Sequence, residues 1–277
     1  MTVASGAAKV QNLSNNRPRR GNKMNQMPAR LPDINTVSMA APLSWLAAGW
    51  RDFRAAPLIC SAYGAILAGI SAGIFYFLYR TGSVSWFFVL LGGFLIIGPM
   101  LGMGLYEAAR LRSAGQKPTF FGMIWVRTAM HREQLLLGLL MVFLYFLWTR
   151  IAQVVYALST SRIFRETEDF LTFVLTDPNG QAMVLAGTIT GGLVAFCNYS
   201  LAVVAAPMLL DRRYDVFMAL ATSVRSVNRN FFPMVLWAVI ITALTALGVM
   251  TAFLGLIIIF PIIGLASWHA YTGLVRE

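Results

Sequence analysis

The sequence predicts an all-α membrane protein. Its six transmembrane helices are expected as three parallel-repeat hairpins, with interfacial amphipathic helices between them. Three observations lead there. Apolar residues make up 58% of the chain and charged residues 12%, about half the charged share of an ordinary soluble domain and too little to cover a water-facing surface. The apolar residues are gathered into uncharged or nearly uncharged blocks, each at least as long as the ~20 residues that cross a hydrocarbon core. Finally, basic residues are dense in every second connecting segment and sparse in the others, which is the pattern that sets membrane topology.

The elements follow in chain order. Residues 1–40 are rich in Asn, Ser, Pro and Arg, as in Asn15-Asn16-Arg17-Pro18-Arg19-Arg20, and read as a disordered cytoplasmic tail. No apolar core follows those arginines before residue 40, so the tail does not read as a signal peptide. The six-helix domain is expected over 41–277, with spans at about 57–79, 84–106, 134–158, 181–210, 233–251 and 254–271. The last two come from one block, 233–271, whose sole ionisable residue is His269. That block is too long for one crossing at 1.5 Å per residue, so a tight turn is placed between Gly248 and Gly255.

Charge bias orients the spans. Lys9, Arg17, Arg19, Arg20, Lys23, Arg30, Arg51 and Arg54 precede the first. Arg110, Arg112, Lys117, Arg127 and Arg132 separate the second from the third, and Arg212, Arg213, Arg225 and Arg229 the fourth from the fifth. The opposite loops hold Arg80, and Arg162 with Arg165 beside Glu166, Glu168, Asp169 and Asp177. Basic loops stay in the cytoplasm, so both termini are expected there, as an even number of spans requires. The formal charge of +11 then reads as topology and as attraction to anionic lipid headgroups at the cytoplasmic face. No nucleic-acid-binding module accompanies it.

The basic segments also carry helical periodicity. Leu43, Leu46, Trp50 and Phe53 follow one another at three, four and three residues, and Phe217, Leu220, Val224 and Val227 repeat that spacing after Asp215, an N-cap residue type. Residues 120–130 are similar. Helices with one apolar face lie flat at a membrane surface. Each such helix precedes an outgoing and a returning span, which suggests the repeat. Pro57 and Pro233 open spans one and five, while Pro99, Pro207 and Pro261 sit near the inner ends of spans two, four and six. The stretch Pro99-Met-Leu-Gly-Met-Gly-Leu-Tyr-Glu-Ala108 parallels Pro261-Ile-Ile-Gly-Leu-Ala-Ser-Trp-His-Ala270, and Pro207-Met208-Leu209 begins the same way. Three parallel hairpins would be related by an axis along the membrane normal.

Several motifs carry a resemblance. Trp50-Arg51-Asp52-Phe53, Gly98-Pro99, Gly104-Leu105-Tyr106-Glu107, Gly115-Gln116-Lys117-Pro118, Pro207-Met208-Leu209-Leu210-Asp211-Arg212, Ser223-Val224-Arg225 and Trp268-His269-Ala270-Tyr271 together resemble a bacterial inner-membrane family, domain of unknown function 2189. The likeness runs from about Trp45 to the C-terminus. It implies a multi-pass protein of the bacterial inner membrane and brings no established activity or catalytic residue. Some members carry a cytochrome c oxidase subunit I-like label. An oxidase core needs more histidine ligands than the two present here, His131 and His269, which are weak candidates for axial ligation of a single haem. No cofactor or metal is therefore expected.

Few residues remain that bear on chemistry. Arg150 lies inside the third span with Gln153 one turn on, on one helix face. A charge there faces either a polar interior or, by snorkelling, the headgroups, and the flanking Trp148 and Tyr156 favour the headgroups. Asn198, with Tyr199 and Ser200, is polar within span four and suits helix–helix contact. Glu107 and Arg110, one turn apart, and Asp211 beside Arg212 and Arg213 follow the returning spans. They form either an inner gate or, more plainly, a solvated cluster that sets topology. Arg150, Gln153, Asn198, Glu107, Arg110 and Asp211 are thus the candidates for a polar pathway. Cys60 and Cys197 show no metal or redox spacing. No HExxH, GxSxG or phosphate-binding glycine loop occurs, so no enzyme is predicted. A transporter- or permease-like role for a small or amphiphilic solute is the leading expectation, on the strength of the repeat and the proline-broken returning spans. A non-transporting envelope scaffold or lipid-interacting protein is the alternative, on the strength of the basic surface helices.

Overall fold

The computed structural model describes residues 31–83, 86–126, 131–162, 164 and 167–276. The tail up to residue 30, Val84, residues 127–130 with Arg127, and Arg165 with Glu166 lie outside the described residues. Twelve helices are seen among the described residues: α1 (Ala41–Ala55), α2 (Pro57–Arg80), α3 (Trp86–Leu101), α4 (Met103–Ser113), α5 (Phe120–Ile124), α6 (His131–Ser159), α7 (Thr167–Thr176), α8 (Pro178–Ala202), α9 (Ala205–Asp211), α10 (Val216–Arg229), α11 (Phe231–Met250) and α12 (Leu256–Leu274). Six stretches are long and apolar enough to cross a membrane: α2, α3 continuing into α4, α6, α8 continuing into α9, α11, and α12. The expected turn between the last two spans is present at 251–255, where Ala252 and Phe253 take positive φ of 52° and 68°, a region that costs a non-glycine residue roughly 1 kcal/mol.

Two returning spans are interrupted close to a proline, α3 to α4 at Gly102 and α8 to α9 at Val203 and Val204, and side chains of neighbouring helices bond to backbone groups near the prolines. Pro99 has no N–H to donate and its ring crowds the preceding turn. Beside it the Ile96 carbonyl accepts from Asn198 Nδ2 at 3.1 Å, and the Leu101 carbonyl accepts from the Tyr63 hydroxyl at 2.8 Å. Ahead of Pro207 the chain breaks at Val203 and Val204, and the Val204 N–H donates to the Ser223 hydroxyl of α10 at 3.1 Å. The Met234 carbonyl, just past Pro233, accepts from the Tyr199 hydroxyl at 2.8 Å. Water cannot satisfy such groups within a bilayer, so neighbouring helices do.

α12 is the centre of the bundle. It packs against α1, α2, α4, α9 and α11, and glycines permit the approach. A Cβ on Gly49 would meet Ala266 and the Ile262 carbonyl at 2.7 Å, and one on Gly264 would meet the Leu105 side chain at 2.5 Å. Three pairings were expected of a hairpin repeat. α6 does pair with α8 and α11 with α12, but α2 lies mainly against α12 and touches α3 little. The three-hairpin repeat is therefore not established by this packing.

One expectation needs correction. The tail was expected to stay disordered as far as Ala40, yet its last residues are docked. Ile34 is buried and bridges Val275, the Asn35 N–H donates to the Leu274 carbonyl at 2.9 Å, and the Val37 N–H donates to Asn230 Oδ1 at 2.8 Å. Asn230 returns a bond from Nδ2 to the Asn35 carbonyl at 2.9 Å. A low-apolar segment is held here by backbone pairing, which composition does not report. The surface helices divide their apolar residues between protein and surroundings. α1 buries Pro42, Trp45, Gly49 and, from its apolar stripe, Phe53. Leu43 is 59% exposed and Trp50 44%. α10 likewise buries Val216, Ala219, Thr222, Ser223, Ser226 and, from its stripe, Val227, and leaves Phe217 78% exposed. Small residues pack helices closely when lipid is the solvent, so the larger apolar side chains are free to face outward.

Candidate functional site

The end of the bundle that carries both described chain ends also holds the ion pairs found among the described residues. Glu107 is 6% exposed and takes a bidentate fork from Arg110, with Nε–Oε2 at 2.7 Å and Nη2–Oε1 at 2.8 Å. This one-turn pair matches the sequence expectation. Asp211 accepts from the Tyr271 hydroxyl at 3.0 Å and lies 3.5 Å from Arg212 Nε. The Arg212 guanidinium sits 5.9 Å above the Tyr271 ring and donates to the Arg276 carbonyl at 3.1 Å.

Sequence reasoning missed the centre of this end. Asp52 of α1 accepts from Arg112 Nε of α4 at 2.9 Å through Oδ1, and its Oδ2 lies 2.7 Å from His269 Nε2 of α12. An ionised carboxylate only accepts, so that ring nitrogen carries the proton. Burial pushes the Asp52 carboxyl up, but the hydrogen bonds and charges of His269 and Arg112 outweigh it and hold the carboxyl below its ordinary value. One carboxylate thus ties three helices together. Glu133 was missed too. It is buried at the start of α6 and accepts the Val216 N–H at 2.9 Å, placing negative charge at the N-terminus of α10, where the helix dipole favours it.

The other candidates do not assemble into a pathway. Arg150 and Gln153 are both exposed, and Arg150 Nη1 donates to Gln153 Oε1 at 3.1 Å. Asn198 is 2% exposed; its Nδ2 donates to the Ile96 carbonyl, while its Oδ1 is buried with no hydrogen-bond partner among the described residues. Glu107 and Arg110 are committed to each other, and Asp211 to Tyr271 and Arg212. His131 is exposed at the start of α6, whereas His269 is bound to Asp52 through the nitrogen that a haem iron would need. Cys60 is buried and Cys197 exposed, and both are free.

Comparison with known proteins bears on this arrangement. The family described as "Predicted integral membrane protein (DUF2189)" matches residues 87–211. Over that segment the chain is similar to this family. The DUF2189 match runs from α3 to the end of α9, narrower than the likeness read from Trp45 onward. It includes Glu107, Arg110, Arg112, Glu133, Arg150, Asn198 and Asp211, and leaves Asp52 and His269 outside. No curated protein and no solved structure matches the chain.

Proposed function

We propose that this is a non-transporting protein of the bacterial inner membrane that organises or binds lipid, with its ion-paired, basic end in the cytoplasm against anionic headgroups. The close packing where α4, α9 and α12 meet carries the reading. Leu105, Ala108, Ala206, Met208, Leu265 and Ala266 are each wholly buried there, at the level where a solute path between proline-broken spans would have to open. The exposed Arg51, Arg54, Arg225 and Arg229 lie on α1 and α10, whose outward faces also present Leu43, Trp50 and Phe217. A basic helix with exposed apolar side chains suits an anionic interface.

The test uses single cysteines at Leu105 and Ala206 in a chain whose Cys60 and Cys197 are replaced by alanine. Both are expected to resist a membrane-impermeant maleimide from either side of the native membrane. Labelling at either position would overturn the reading in favour of a transport path. The lipid half is tested by melting the wild-type protein in nanodiscs of phosphatidylcholine with and without phosphatidylglycerol. The anionic lipid is expected to raise the midpoint, and the rise should shrink in high salt. No rise would sink the lipid-binding half.

A further inference from the structure

An apolar groove of about 390 Å3 runs between α1 and the last two spans, lined by Leu43, Ala47 and Trp50 of α1, Leu244 of α11, and Ile259 and Ile262 of α12. The α11 and α12 walls belong to membrane-crossing helices, so the groove opens onto hydrocarbon. Its α1 wall is the stripe left outward when Trp45, Gly49 and Phe53 turned onto α12.

The stripe does not end in apolar residues. Arg54 lies one turn beyond Trp50, and Arg51 one turn beyond Ala47, the spacing that stacks side chains on one helix face. Both arginines are exposed, and neither forms an ion pair among the described residues. The acid between them, Asp52, is on the opposite side of the helix and is taken by Arg112 and His269. Trp50 stands between groove and arginines, stacked on Phe53 with ring centroids 5.7 Å apart, at the position where an amphipathic ring marks the headgroup level.

We infer that this groove is a binding site for one anionic phospholipid, with an acyl chain along Leu43, Ala47, Leu244 and Ile259 and the phosphate held by Arg51 and Arg54. The inference rests on the lipid-binding reading above and adds a place and a chemistry to it. A zwitterionic lipid brings the same phosphate, but its headgroup cation offsets that charge, whereas an anionic lipid leaves its net charge to the two uncompensated guanidinium groups, which bind phosphate in bidentate fashion. Each basic residue near an anionic surface contributes about 1 kcal/mol, so the pair sets a preference that bulk lipid contact does not.

The experiment is photo-cross-linking in phosphatidylcholine nanodiscs doped with phosphatidylglycerol that carries a diazirine in its acyl chain. Labelled peptides are mapped by mass spectrometry. Label is expected to concentrate on residues 43–50 and 259–262 and to be competed by unlabelled phosphatidylglycerol but not by phosphatidylcholine. Ala47→Trp, which fills an exposed position of the groove, and the double change Arg51→Gln, Arg54→Gln should each weaken saturable labelling by about tenfold or more. Arg80→Gln, exposed at the far end of α2, should leave it unchanged. Label spread along all lipid-facing spans, or indifference to Ala47→Trp or to the double arginine change, would overturn the site. If the wild-type protein still melts higher in anionic nanodiscs in any of those cases, the groove alone has failed. If that rise is missing too, the underlying reading has failed with it.

Discussion

Where α4, α9 and α12 meet, side chains from three returning spans are sealed from solvent and lipid alike, and five helices converge on α12. At the other end of the bundle Phe77, Leu158, Leu175 and Met250 stand out from their helices. Among the described residues, burial there is concentrated in two small clusters, one around Ala68, Phe253 and Leu256 and one around Phe170, Phe173 and Met183. Both ends are rich in apolar residues, so hydrophobicity does not separate them. The sealed end has small residues at crossings, ion pairs between helices and side chains that cap broken backbone. In a bilayer, helix association draws on packing and polar contacts more than on apolar burial, so an end supplied with both is expected to hold the fold. The other end also has close approaches, at Gly180 against the Phe173 carbonyl and at Gly248 against Leu256, but it has no ion pair among those described and leans more on lipid.

The largest expected effect would break this contrast if it failed. Gly49→Val inserts atoms where a Cβ already meets backbone of α12 at 2.7 Å, and overpacking that backbone cannot relieve is expected to cost about 3 kcal/mol or more. Gly73→Ala, in α2 where nothing lies within 4 Å of the added Cβ, should be neutral or stabilising by some tenths of a kcal/mol, since alanine is the better helix former. Thermal melting in detergent compares the two. Similar losses at both sites would show that the ends are equally packed.

A smaller effect sharpens the contrast by isolating charge. Asp52→Ala leaves Arg112 and His269 without their shared acceptor and should lower stability by about 1–3 kcal/mol. Asp52→Asn keeps the shape and removes the charge. Because the Asp52 carboxyl is held below its ordinary value of 3.8, its contribution is complete above that value and is lost as pH falls through the lower value of the folded protein. The melting difference between wild type and Asp52→Asn should therefore shrink on acidification below about pH 4. A difference that grows as pH falls below that value would contradict the arrangement.

The two kinds of packing also explain what the sequence made legible. All six spans, the turn after α11 and the Asp215 cap, whose side chain accepts the Met218 N–H at 2.8 Å, follow from hydropathy, length and local residue type. The Glu107–Arg110 pair was legible because its members are one helical turn apart. Asp52 was not, because its partners lie 60 and 217 residues away and no periodic signal links them. The docking faces of the surface helices were not legible for a related reason. Apolar spacing finds the larger side chains, and a helix that docks through Trp45 and Gly49, or through Ala219 and Ser223, uses its least conspicuous face. The pairing of residues 33–37 with the C-terminus involves backbone groups that every residue carries, so composition hid it.

Arg150 gives the smallest expected effect and the finest test of the contrast, because it is a charge on the loosely packed side of the molecule. It is exposed on α6 and makes a single hydrogen bond among those described, to the equally exposed Gln153. That is the geometry of a side chain running its stem along the helix toward headgroups. Lysine retains a long stem and one charge, so Arg150→Lys should shift the melting midpoint hardly at all. Arg150→Leu removes a charge that is costly near hydrocarbon and strands only an exposed amide, so it should stay within about 0.5 kcal/mol of wild type. The prediction differs in kind from that for Asp52, where the partners are enclosed and loss of the charge is felt. Marked destabilisation by both Arg150 variants would mean that the residue holds the bundle together. The thinly packed side would then have a polar interior of its own, and transport would regain the advantage over lipid binding.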